Sequence, residues 1–172
     1  MAITPDTKDW TWTLEQRCPQ CGLDASTVPP AQVAPAVLAD VPTWRRVLGG
    51  PDARRRPAPD VWSPLEYACH VRDVHRVFAE RFRQVLDEDD PVFENWDQDA
   101  AARTGRYDEQ DPGAVADELA AAAAVVAERL AAVRDEQWQR PGRRSNGSAF
   151  TLGSLVQYYW HDVAHHRWDV DR

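Results

Sequence analysis

The sequence predicts an all-α fold, a four-helix bundle preceded by a short extended N-terminal segment. Three observations lead there. Apolar residues recur at helical spacing in four separate stretches, and long connections lie between some of them. No apolar run approaches the roughly 20 residues that a membrane span requires. At 172 residues the chain has the length of one domain with a sizeable core. That domain is expected over 1–172, with the extended segment in 1–27 and the bundle in 28–172.

The N-terminal segment alternates Trp10, Trp12 and Leu14 with Thr11 and Thr13, the period-2 pattern of a strand with one buried face. It runs into Cys18-Pro19-Gln20-Cys21-Gly22, the shape of half a zinc knuckle, in which glycine lets the backbone turn toward the sulfurs. Cys69 is the only other thiol, so a four-cysteine site within the chain is excluded. Cys18 and Cys21 are read either as a turn with two partly buried thiols or as a second metal site or redox pair.

Helix one is expected from Ala31 to Leu48, with Val33, Val37, Val41, Trp44 and Leu48 on its apolar face. Pro42 must remove a hydrogen bond inside it, and Gly49-Gly50-Pro51 ends it. Helix two is announced by Ser63-Pro64-Leu65-Glu66, an N-cap, a proline at the first helical position and a capping-box glutamate. It is expected to reach about Leu86. His70 and His75 lie on neighbouring apolar strips of this helix, where a lone histidine is ordinarily a core residue.

From about Asp87 to Asp111 the chain is acidic and carries Phe93 and Trp96. Its length predicts either a cover over a pocket or a surface loop pinned by two aromatics. Asp111-Pro112 then opens helix three, striped by Val115, Leu119, Val126, Leu130 and Val133. A basic cluster follows at Arg140, Arg143 and Arg144. These arginines are expected either in solvent or against a substrate carboxylate, with Trp96 and Tyr158 as further candidate substrate contacts.

Helix four is expected from about Thr151. Leu152, Leu155, Val156, Tyr159 and Val163 form one face, and Ser154, Tyr158, His161, His165 and Trp168 another. His161 and His165 are four apart, the spacing at which a helix offers two imidazoles to one metal ion. His166 points about 100° away from His165 and is set aside, and Asp162 is read as facing away from the metal strip. A third ligand is then expected from His70 or His75. With two structured faces on this helix, self-association as a homodimer is expected.

The net charge of -8 disfavours nucleic acid and anionic membrane surfaces as partners, leaving a small-molecule substrate. Met1-Ala2-Ile3-Thr4-Pro5-Asp6 lacks the basic and apolar regions of a signal peptide, so a cytoplasmic location with reduced thiols is expected.

Trp62-Ser63-Pro64-Leu65-Glu66-Tyr67-Ala68-Cys69-His70, followed some ninety residues later by His161-Asp162-Val163-Ala164-His165, resembles the DinB/YfiT-like family. The resemblance implies an up-down-down-up four-helix bundle, often dimeric, with a divalent metal on three histidines. It selects His70 over His75 and implies His70, His161 and His165 as the ligand set. Zinc is the first expectation, with nickel, manganese or iron able to occupy the same donors. Relatives imply transfer of a low-molecular-weight thiol to an electrophile, and the arginine-rich composition directs the preference to mycothiol. The alternatives are metal-dependent hydrolysis and a non-enzymatic metal- or ligand-binding stress protein.

Overall fold

A computed structural model describes residues 9–171; Met1–Asp6 and its expected lack of a leader lie outside them. The four long helices are α1 (Val33–Leu48), α2 (Pro64–Asp87), α4 (Pro112–Ala131) and α5 (Leu152–Asp171), with a short α3 (Gln98–Thr104) between α2 and α4. Three short strands, β1 (Val92–Phe93), β2 (Pro141–Arg144) and β3 (Ala149–Thr151), form one sheet in the order β1-β2-β3, the first pair parallel and the second antiparallel.

The helices after α1 start where their capping chemistry directs. Ser63 accepts from the Glu66 amide while the Glu66 carboxylate accepts from the Ser63 amide at 2.9 Å, the reciprocal box written in the sequence. Asp97 and Asp111 cap α3 and α4 by accepting from the Ala100 and Ala114 amides. Thr151 and Ser154 exchange backbone–hydroxyl bonds of 3.0 and 3.1 Å at the start of α5. Pro42 does not break α1. It sits on the exposed side of the helix, where the carbonyl it leaves unbonded can be hydrated.

Contacts between helices fix their directions. Asp40 and Arg46 on α1 pair with Arg167 (3.1 Å) and Asp171 (2.5 Å) on α5, in step along both helices, so these two run parallel. Arg45, near the end of α1, reaches Asp117 near the start of α4, so that pair is antiparallel. Arg72 on α2 bonds Glu118 early in α4, and Arg129 late in α4 reaches the Ala79 carbonyl further along α2. Those two are parallel. Arg140, just ahead of α5, donates to the Val85 carbonyl at the end of α2, whereas His70 near the start of α2 meets Asp162 late in α5. The result is the up-down-down-up bundle, with α1 and α2 each packed between α4 and α5. Its core gathers Trp44, Phe82, Leu119, Leu130, Leu155 and Tyr159.

Two regions differ from expectation. Trp10–Leu14 is a 3-10 helix and not an extended strand. Asp9 caps it through the Thr11 amide, and Thr13 bonds back to the Trp10 carbonyl at 2.8 Å. These local bonds from short polar side chains compete with the extended backbone that the alternation suggests. The stretch after α2 is ordered by β1, α3 and two buried aromatics, Phe93 and Tyr107, the latter bonded through its hydroxyl to Asp73 at 2.5 Å. Among the described residues no helix is long and apolar enough to cross a membrane.

Candidate metal centre

Two rows of side chains on α5 carry the chemistry, each an i, i+4 pair and the two offset by one residue. His161 and His165 form one row, Asp162 and His166 the other. One residue turns a helix by about 100°, so the rows face different neighbours. The first row meets the N-terminal segment, and the second meets α2.

On the α2 side, His70, Asp162 and His166 bring one potential ligand atom each to within 4.8 Å of the others. His70 Nε2 lies 3.2 Å from Asp162 Oδ1, and His166 Nε2 lies 3.3 Å from the same oxygen. Donors sharing an ion at about 2.1 Å stand roughly 3.0–3.5 Å apart, so this spacing suits a common metal. His70 is fully buried and rests against the rings of Trp62 and Trp96, the second stacked at 5.4 Å. Its Nδ1 has no hydrogen-bond partner among the described residues, and Nε2 makes the polar contact with Asp162.

Burial lowers the pKa of His70, keeping it a neutral imidazole with a lone pair to offer. For Asp162, burial pushes the carboxyl up, but the hydrogen bond with His70 and the surrounding imidazoles outweigh it and bring it to about 2. The His70 imidazole and the Asp162 carboxylate thus stand in their metal-binding ionisation states at neutral pH.

On the other side, Cys18, Cys21, His161 and His165 form a second four-residue group with the same mutual proximity. Cys18 Sγ lies 3.7 Å from His165 Nδ1, and Cys21 Sγ lies 3.8 Å from His161 Nε2. Trp10 covers both imidazoles, with its ring 6.0 Å from His161 and 5.7 Å from His165. Burial, followed by the neighbouring His165, lowers His161 to about 4.

A pocket of about 100 Å³ opens along α5 between the two groups, lined by Trp10, Gln98 and Tyr158 together with His161, Asp162, His165 and His166. Asp169 links the groups from behind. Its Oδ2 lies 3.0 Å from His166 Nδ1 and 3.9 Å from His165 Nε2.

The sequence-predicted residues are therefore distributed over two centres. His161 and His165 come together, with Cys18 and Cys21 beside them, while His70 faces Asp162 and His166. The three histidines do not converge on one point among the described residues. Asp162 and His166, set aside on the sequence because they point about 100° away from the His161–His165 row, face His70 on α2 instead. Their own i, i+4 spacing was the available signal. His75 is a core residue, bonded at 2.7 Å to the buried Tyr159 hydroxyl.

Of the candidate substrate contacts, Tyr158 lines the pocket and Trp96 stacks on His70. Arg144 packs over the Tyr158 ring and approaches its hydroxyl at 3.4 Å. Arg143 is exposed and paired with Asp90, and Arg140 is held by the carbonyls of Val85 and Glu88 at the end of α2.

The fold and its histidine-rich groups define a four-helix bundle able to hold a metal in its interior. Residues 40–170 match the DinB superfamily model, and the chain belongs to that superfamily. Among solved structures it is similar to YfiT from Bacillus subtilis, described as a probable metal-dependent hydrolase with an unusual four-helix bundle topology. That similarity has a TM-score of 0.67 at 18% sequence identity and covers 97% of this chain and 87% of YfiT. Comparison with curated proteins finds no match.

Proposed function

We propose that the protein is a metal-dependent enzyme acting on a small molecule, with His70, Asp162 and His166 holding the divalent ion. The observation that carries this reading is the Asp162 carboxylate oxygen, set 3.2 and 3.3 Å from two imidazole nitrogens at the wall of a pocket. Two histidines and one carboxylate, with positions left open, are the donor set of catalytic zinc and non-haem iron sites. Zinc is the first candidate, and nickel, manganese and iron(II) suit the same donors.

Held there, such an ion would act as a Lewis acid that makes a thiol or water nucleophilic at neutral pH. The chain's own residues would do the rest. Burial raises the pKa of Tyr158, which keeps its hydroxyl protonated and able to donate to a substrate oxygen. Gln98 offers an amide on the pocket wall. Arg144 brings a guanidinium to the Tyr158 side and is the one of the three loop arginines suited to a substrate carboxylate. Trp10 and Trp96 exclude water from the flanks of the site.

Transfer of a low-molecular-weight thiol of the mycothiol type to an electrophilic carbon is the reaction proposed first. Water as nucleophile is the second reading, favoured by the likeness to YfiT, whose description is of a hydrolase. To separate them, metal-loaded protein would be assayed with a chromogenic electrophile plus or minus mycothiol, and with a chromogenic ester alone. Turnover that requires thiol and is lost in Asp162→Ala supports transfer. Ester cleavage without thiol, lost in the same variant, supports hydrolysis. Activity of either kind surviving Asp162→Ala with metal content unchanged would reject the assigned centre.

A further inference from the structure

We infer that Cys18, Cys21, His161 and His165 form a second, closed zinc site that clamps the N-terminal segment onto α5. The donor set is complete in number and type, since two thiolates and two neutral imidazoles make a tetrahedral Cys₂His₂ site with no position left for substrate. The spacing also fits. With Zn–S near 2.3 Å and Zn–N near 2.0–2.1 Å, a sulfur and a nitrogen on one tetrahedral zinc stand about 3.6 Å apart. The two pairs lie at 3.7 and 3.8 Å.

The local fold presents the sulfurs as a knuckle does. Gly22 adopts φ +76°, a conformation that residues with a side chain rarely take, and its amide bonds back to the Cys18 carbonyl at 2.9 Å. The Cys18 amide in turn donates to the Leu23 carbonyl at 2.8 Å, which closes the turn. Cys18, His161 and His165 are buried and Cys21 is half-buried. Two thiolates neutralise a divalent cation, so the filled site would carry no net charge into this interior.

Closure separates this site from the one proposed for catalysis. It joins residues about 140 positions apart. Gln157 adds a further tie between the same segments, donating to the carbonyls of Ser26 (3.0 Å) and Val28 (2.9 Å). Trp10, which roofs the pocket, lies on the clamped segment. The clamp would therefore shape the wall of the pocket, while its zinc, closed by four protein donors, would have no position for substrate. This inference stands on the cysteine–histidine group alone and does not depend on the ion at His70, Asp162 and His166.

The test replaces zinc with cobalt(II) in the full chain. One equivalent is expected to give a thiolate-to-metal charge-transfer band with the visible spectrum of a tetrahedral ion. The band should vanish in Cys18→Ser and in His165→Ala and persist in His70→Ala, which disables only the other centre. A wild-type measurement guards against variants that fail to fold. Zinc should slow maleimide modification of Cys18 and Cys21 at least tenfold, and a chelator should restore it. Absence of the charge-transfer band, its survival in His165→Ala, or equal modification rates with and without zinc would overturn the inference.

Discussion

Asp169→Asn is the substitution that most sharply tests the two-centre reading, because one carboxylate stands behind both groups at different distances. At 3.0 Å from His166 Nδ1 it is within hydrogen-bond reach, whereas 3.9 Å to His165 Nε2 is not a hydrogen bond. A carboxylate behind a ligating imidazole fixes the ring and raises its basicity, and its loss costs about 10–100-fold in metal affinity. Asparagine keeps the shape and an acceptor oxygen but removes the charge, which places the expected loss at His70, Asp162 and His166 near tenfold, about 1.4 kcal/mol. At the cysteine–histidine group, where the carboxylate stands 3.9 Å from the His165 ring nitrogen, the effect should be only a few-fold.

Competition titrations against a chromogenic chelator can resolve the two classes, with cobalt spectra identifying the thiolate-bearing one. Asp171→Asn supplies the control. Asp171 is a neighbouring acid that pairs with Arg46 near the surface and belongs to neither group. An equal or larger loss at the cysteine–histidine group would refute the reasoning, as would a result for Asp169→Asn indistinguishable from that control.

Three further outcomes are expected. Asp40, a buried carboxylate, is raised by burial from 3.8 to about 6 against the opposing charge of Arg167. The folded state then holds more protons than the unfolded one between those values, so this group's contribution falls as pH rises through that window. Asp40→Asn should match wild type in urea unfolding near pH 4 and gain at most about 3 kcal/mol above pH 6; a pH-independent difference would contradict this. In Gly142→Ala the new Cβ would meet Val85 Cγ2 at 2.7 Å and Phe93 Cε1 at 3.3 Å, so a loss of about 1–3 kcal/mol is expected in the same assay. Ser63→Ala removes the cap of α2 and one partner of the buried Glu66 carboxylate; it should cost about 1–2 kcal/mol, and an unchanged melting temperature would count against the capping role.

How much was legible beforehand follows from the range of each signal. The starts of α2 and α4 were readable because a cap and its partner lie within three or four residues, so Ser63-Pro64-Leu65-Glu66 and Asp111-Pro112 each contain their own explanation. The Trp-Thr-Trp-Thr-Leu segment misled because five residues fit a two-residue alternation and a 3-10 turn equally well. The choice was made by Asp9 and the threonine hydroxyls. For the stretch after α2, nothing local indicated that Tyr107 would be drawn to Asp73, 34 positions earlier in the chain.

The metal-binding residues show the same limit at a finer scale. Spacing alone marks His161 and His165 as a pair and equally marks Asp162 and His166. On an isolated helix one row would face inward and the other would turn aside, which is why one pair was chosen. In the bundle α5 lies between α2 and the folded-back N-terminal segment, so both rows are covered, one by His70 and the other by Cys18 and Cys21. An offset of one residue, worth about 100° of rotation, thereby gives one turn-and-a-half of helix two donor sets of different hardness. Asp169, three residues beyond His166 and four beyond His165, follows both rows. The same periodicity that separates the centres places a single carboxylate behind them, so a change at one can reach the other without any movement of the helix.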